Sequence, residues 1–166
     1  RSTGGMPTGI TIAGGKIITN NNYSSYTQSG GIIGFNKDNV LMLMKDTTAN
    51  KAIQMGVRDA ISWGPFLIVN GKKSFIKGNG GWGYAARTAI GQRKDGIVLL
   101  LVIDSNATRT KGADMTDLTE IMSNYGAVNA ANLDGGTSSV MVLPKNEALK
   151  YNDACRDDYC LSLIHI

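Results

Sequence analysis

Apolar residues in this chain fall mostly at alternating positions or in short unbroken runs, and at helical spacing in two stretches. Residues 10–13 and 16–19 flank Gly14-Gly15 and predict a hairpin. Residues 31–36 and 40–44 flank Lys37-Asp38-Asn39 and predict a second, after a polar loop over 20–29. Residues 66–69 lead into Asn70-Gly71, the most specific hairpin turn in the sequence. The run 97–103 is apolar throughout and predicts a strand buried on both faces. A helix is predicted over 47–55, with Thr48 as cap, Ala52 and Met55 on one face, and Gly56 as stop. The clearest helix is 114–125, where Leu118, Ile121, Met122 and Tyr125 form one stripe. Asp114 or Thr116 can cap its start, and Gly126 suits the position just past its end. Residues 128–133 then return as a strand. Hairpins first and a β-α-β unit near the C-terminal end predict an α+β fold. The expectation is one domain over residues 1–150, a mixed and mostly antiparallel sheet with a few helices, and a loosely packed tail over 151–166.

This order brings two carboxylates together. Asp104 follows the apolar strand Leu101-Val102-Ile103, and Asp134 follows Ala131-Asn132-Leu133. One helix joins the two strands, which predicts that they run parallel, as neighbours, with both aspartates at one edge and facing one cleft. After Asp134, Gly135 and Gly136 can adopt φ > 0 and turn backbone N–H groups toward a ligand. Thr137, Ser138 and Ser139 add hydroxyls before a second apolar run, 140–143. Asn132 shares strand parity with Asp134 and is expected on the same face, in reach of the carboxylate or a sugar. Arg87 is the natural third member, because its planar fork binds phosphate bidentately. Two carboxylates and an arginine suit glycosyl or phosphoryl chemistry. The plainer alternative is an Asp-Gly hairpin turn at 134–135, with each aspartate serving as a cap or surface ion-pair partner.

Composition narrows the field. The 166 residues carry 17 basic and 13 acidic side chains, a formal charge of +4, and no Lys/Arg run longer than Lys72-Lys73. That gives nucleic-acid binding only weak support, and no nucleic-acid partner is expected. No apolar run approaches the roughly 18 residues of a membrane helix, so no membrane contact is expected within this chain. The opening residues do not read as a signal peptide. The single histidine, His165, lies next to the end and sets aside histidine-dependent triads. Cys155 and Cys160 are a close pair, either a small disulfide loop or free thiols, expected to lie away from the site. The glycine-rich stretch 78–83 around Trp82 lacks the Gly-Lys-Ser/Thr of a phosphate loop. Neither a metal nor a cofactor is called for.

The block Ala86-Arg87-Thr88-Ala89-Ile90-Gly91, the run 98–104, and Asn132-Leu133-Asp134-Gly135-Gly136-Thr137-Ser138-Ser139 resemble the phosphodiester glycosidase family. The resemblance extends from about Gly9 to Met141 and rests on the order and spacing of three motifs. It implies a hydrolase acting on a sugar-1-phosphodiester of the N-acetylglucosamine-1-phosphate type. It also implies envelope or exopolysaccharide glycans as the setting, and a secreted or envelope-associated bacterial protein. The implied catalytic residues are Asp134, Asp104 and Arg87. The implied substrate-binding residues are Thr88, Asn132, Gly135, Gly136, Thr137 and Ser138. Ala86 stands where the family has proline, and Ser105-Asn106 where it has Gly-Arg. Family motifs expected at the start and after Leu143 are missing, so the chain reads as a fragment. Two alternatives differ in class. One is a non-catalytic glycan- or wall-binding module on the same fold. The other is the phosphate loop of actin-like sugar kinases, which 133–138 resembles but which opens its domain rather than lying near the end.

Overall fold

Two antiparallel sheets lie face to face, each with a helix on its outer side. This arrangement comes from a computed structural model of the chain, which describes residues 8–21, 30–105, 111–141 and 162–165. The elements in order are β1 (Ile10–Ala13), β2 (Lys16–Asn20), β3 (Gly31–Asn36), β4 (Leu41–Met44), α1 (Ala49–Gln54), β5 (Val57–Trp63), β6 (Phe66–Val69), β7 (Lys72–Lys73), β8 (Arg87–Arg93), β9 (Val98–Ile103), α2 (Met115–Asn124), β10 (Ala127–Asn132) and β11 (Ser162–His165). The first sheet has the order β2-β1-β5-β3-β4, the second β11-β9-β8-β10-β6-β7.

Alternation along the strands builds the layers. In β3, Ile32 packs with Met44, Ala49, Ala52 and Ala60 beneath α1. Its neighbour Ile33 points the other way, to Leu41, Phe66 and Ala131 between the sheets. In the second sheet, Leu67, Ala89, Leu99, Leu101 and Ala130 meet Met115, Leu118 and Met122 of α2. Leu118 and Met122 are fully buried, and each such side chain stabilises the fold by about 1.5–3 kcal/mol. Local chemistry sets the ends. The Thr48 hydroxyl accepts from the Lys51 N–H at the start of α1. Asp114 and Asp117 form a reciprocal capping box at the start of α2. Gly126 takes φ 83° just beyond α2, and the Asn70-Gly71 pair, at φ 50° and 76°, makes the β6–β7 hairpin turn.

Three expectations are corrected. β9 and β10 are parallel but not neighbours: β8 lies between them and pairs antiparallel with both. The apolar strand β9 is fully buried only at Leu99 and Leu101, on the α2 side. No β9 residue joins the cluster between the sheets, so the other side of that strand is only half covered. Among the described residues after Asp134, 135–141, no hairpin strand forms: Gly136–Ser138 is a 3-10 turn and Val140 is 69% exposed, and the rest of the run 140–143 lies outside the described residues. Of the tail, residues 162–165 form β11, antiparallel to β9. Tyr159, Leu161, Cys155 and Cys160 lie outside the described residues.

Gln92 and Asn129 tie the two sheets together. β4 is an edge strand, and the outward backbone groups of Leu41 are met by side-chain amides from the other sheet. The Leu41 N–H donates to Gln92 Oε1 at 2.7 Å, and Asn129 Nδ2 donates to the Leu41 carbonyl at 3.2 Å. Gln92 Nε2 also donates to the Asn39 and Gly96 carbonyls, at 2.8 and 3.0 Å. A buried amide at Gln92 is thus satisfied at both ends.

Candidate active site

The strand directions of the second sheet put its chemistry on one rim. β9 and β10 end there, and β8, running the opposite way between them, begins there. Arg87 pairs with Ile103 and Ala89 with Asn132, so the arginine motif sits between the two strand ends that lead to Asp104 and Asp134. The β-α-β reading therefore leads to one rim, with one strand more between the carboxylates than expected.

Asp134 opens a turn welded to the start of β8. The Leu133 N–H donates to the Thr88 carbonyl at 2.9 Å, and the Gly136 N–H to the Ala86 carbonyl at 2.7 Å. The Thr88 hydroxyl donates to the Asp134 carbonyl. The Asp134 side chain is exposed and accepts from the Gly135 N–H at 2.9 Å. Asp104, likewise exposed, accepts from the Ser105 N–H at 2.8 Å. Each carboxylate is thus oriented by the amide that follows it. Among the described residues, Asp134 takes part in no ion pair.

The two glycines have different reasons to be glycine. Gly136 has φ +60°, a left-handed conformation with open space around a would-be Cβ. Gly135 has φ −129°, which any residue adopts, but a Cβ there would lie 2.9 Å from the Ala86 carbonyl oxygen. The expectation that their amides face a ligand is corrected. The Gly135 N–H is held by the Asp134 carboxylate and the Gly136 N–H by Ala86. The N–H groups of Ser138 and Ser139 close the 3-10 turn onto the Gly135 and Gly136 carbonyls at 3.1 Å. What this loop presents outward is the exposed side chains of Thr137 and Ser138.

Arg87 is held from two directions. It is only 7% exposed. Its Nε donates to the Ala113 carbonyl at 3.0 Å, and its Nη2 to the carbonyls of Trp82 and Gly83 at 3.3 and 2.6 Å. Burial pulls its pKa below the usual arginine value, and the negative charge of Asp114 pushes back. Through Nε and Nη2 the guanidinium thus braces the glycine-rich loop and the α2 approach to the rim. Asn132, 5% exposed, turns its Nδ2 to the Gly64 carbonyl at 2.9 Å rather than to Asp134. Its Oδ1 is buried without a hydrogen-bond partner. The backbone beside it is anchored too, the Asn132 N–H donating to the Pro65 carbonyl at 2.9 Å. Trp82 and Tyr84, an aromatic pair inside the glycine-rich stretch that leads into the arginine motif, are exposed.

A family model described as phosphodiester glycosidase matches residues 1–159. The bovine N-acetylglucosamine-1-phosphodiester alpha-N-acetylglucosaminidase is 36% identical over 74 residues, covering 45% of this chain and 14% of that protein. An SPbeta prophage-derived uncharacterized protein, YomE, of Bacillus subtilis is 26% identical over 136 residues, 79% of this chain and 21% of that protein. The catalytic domain of the zebrafish N-acetylglucosamine-1-phosphodiester alpha-N-acetylglucosaminidase, solved in a form auto-inhibited by its pro-peptide, superposes with a TM-score of 0.64 at 22% identity. That match covers 82% of this chain and 48% of the zebrafish chain. The chain thus shares the zebrafish domain's fold and spans only about a fifth or less of these curated relatives.

Proposed function

This chain belongs to the phosphodiester glycosidase family, and on that premise we propose that it hydrolyses a sugar-1-phosphodiester of the N-acetylglucosamine-1-phosphate type. The observation that carries the reading is the pair of exposed aspartates, Asp104 and Asp134, on parallel strands either side of β8. Water adds to the anomeric carbon as the bond from that carbon to the phosphate oxygen breaks. The phosphate monoester leaves as an anion, and the water proton passes to a carboxylate. Phosphate is a good leaving group, so the demanding tasks are placing water and stabilising the oxocarbenium-like sugar. Asp134 takes the first role, beside the turn that presents Thr137 and Ser138 to the substrate. Asp104 supplies negative charge across the strand. Thr88, Asn132, Gly135 and Gly136 hold the turn in shape, and Arg87 positions the loop next to it.

Carboxyl groups about 6.5–9.5 Å apart suit an inverting reaction with a water between them, whereas retaining pairs stand about 5–5.5 Å apart, so the configuration of the product reports the geometry of the pair. Envelope or exopolysaccharide glycans as the setting, and a secreted or envelope-associated location, belong to the same proposal and rest on the family resemblance. The test is to incubate the purified protein with an N-acetylglucosamine-1-phosphodiester and follow the anomeric protons by NMR. The expected products are the N-acetylglucosamine hemiacetal and a phosphate monoester, and the anomer formed first distinguishes inversion from retention. No release of hemiacetal by the folded protein would overturn the hydrolase reading. Saccharide binding without hydrolysis would favour the non-catalytic glycan-binding module.

A further inference from the structure

We propose that Trp82 and Tyr84 form an aromatic platform that stacks on a saccharide ring of the glycan beyond the phosphodiester. This rests on the glycan reading of the rim and names a contact surface within it.

Three large aromatic side chains stand in water along this one edge: Phe75 is 92%, Tyr84 59% and Trp82 39% exposed. The topology explains why they share it. β7, like β9 and β10, ends at the rim, and β6 and β8 begin there. Phe75 comes two residues after β7, and Trp82 and Tyr84 come just before β8. The approach to β8 is also the segment welded to the Asp134 turn, through the Gly136 N–H on the Ala86 carbonyl. Tyr84 is therefore two residues from a direct contact of the candidate catalytic turn.

The platform is built rather than loose. Asn79 takes a left-handed φ of 54°, and its Oδ1 accepts from the Met115 N–H at 2.7 Å, pinning the 3-10 turn Lys77–Gly81 to the start of α2. Gly81 and Gly83 bracket Trp82 with φ of 75° and 56°, a reversal that only glycine makes cheaply on both sides. Arg87 then holds the Trp82 and Gly83 carbonyls from below. Ala85 and Ala113 form a two-way bridge, at 3.2 and 2.9 Å, immediately after Tyr84. Exposed indole and phenol rings on a braced loop present rigid, amphipathic faces at small entropic cost. The apolar C–H face of a pyranose matches such a ring, and its hydroxyls stay in water. The short hydroxyl side chains of Thr137 and Ser138 lie toward the hydrolysed bond, so the platform takes the more distant sugar.

The experiment uses the whole chain and two readouts. In the first, a soluble disaccharide of N-acetylglucosamine is titrated against the parent and against Trp82→Ala, Trp82→Phe and Tyr84→Ala, with binding followed by NMR of the sugar protons. In the second, KM is measured for an N-acetylglucosamine-1-phosphodiester carrying a methyl group and for one carrying a mannoside. The expected result is about three- to tenfold weaker disaccharide binding for each alanine variant, as loss of one aromatic contact implies. Trp82→Phe should restore most of it. KM should rise more for the mannoside ester than for the methyl ester. The binding readout needs no hydrolysis, so it stands even if the catalytic reading fails. Unchanged disaccharide binding in folded alanine variants, or no disaccharide binding by the parent, would overturn the platform.

Discussion

Arg87→Lys separates a structural strut from a phosphate clamp. The Arg87 guanidinium reaches in two directions at once, with Nε on the Ala113 carbonyl and Nη2 on those of Trp82 and Gly83. A lysine ammonium is a compact point charge and can serve one of these directions, not both. Hydrogen bonds to charged groups contribute about 1.5–3 kcal/mol each. Losing one direction should therefore destabilise the fold by about 1.5–3 kcal/mol, and Arg87→Met, which leaves all three carbonyls without this donor, by more. These are large fractions of a domain's total stability, about 5–15 kcal/mol. Urea unfolding followed by circular dichroism reads the loss as a shifted midpoint at unchanged slope. A clamp would behave in the opposite way. Arg87→Lys would then unfold with the parent, within about 0.5 kcal/mol, while KM for the phosphodiester rose about tenfold or more, about 1.4 kcal/mol of lost contact. That pattern would refute the strut.

Gly135→Ala should cost more stability than Gly136→Ala. The former drives a Cβ to 2.9 Å from the Ala86 carbonyl oxygen and must displace backbone, whereas the latter meets only the left-handed strain of about 1–2 kcal/mol; paired urea melts give the order. Gln92→Leu leaves the Leu41 N–H without its acceptor and should cost about 1–3 kcal/mol, read from the same melts. The Asp59 carboxyl is held below its usual range by the Gly14 N–H first and then by Arg58. A depressed folded pKa means stability present above the unfolded carboxylate value and lost as pH falls through the folded one. The parent should therefore exceed Asp59→Asn in urea midpoint at neutral pH, with the gap closing in acid; a gap independent of pH would contradict the assignment.

The parts of this fold legible in the sequence are those where residue type alone dictates the backbone. Asn70-Gly71, the Asp114–Asp117 box and Gly126 each name their own conformation. The strands that escaped notice, β5 and β8, hide their period. In β5 the buried positions are Val57 and the small Ala60, set among Arg58, Asp59 and Ser62. In β8 three of the buried positions are Arg87, Gly91 and Gln92, none of which reads as core. Gly91 is needed because a Cβ there would lie 3.1 Å from the Asn129 carbonyl oxygen. Without β8, two strands that flank it look adjacent. The placement of Asp104 and Asp134 at one rim follows from strand direction, whereas Arg87 comes there with β8. The commitments of Arg87 and of the Gly136 amide do not, because their partners are backbone groups of Trp82, Gly83, Ala86 and Ala113. A carbonyl brought in by the fold leaves no mark in residue type.

The central claim is that the rim's aspartates carry the hydrolysis, with Asp134 foremost. The most direct test is kcat on an N-acetylglucosamine-1-phosphodiester for Asp134→Asn, a nearly isosteric change at an exposed side chain, with the parent's circular dichroism and urea midpoint as the check on folding. The account predicts a fall on the order of 10² or more, as the loss of a general base or nucleophile does, and a smaller fall for Asp104→Asn. A folded Asp134→Asn protein that turns over at the parental rate would contradict it, leaving the 134–139 turn a purely structural feature.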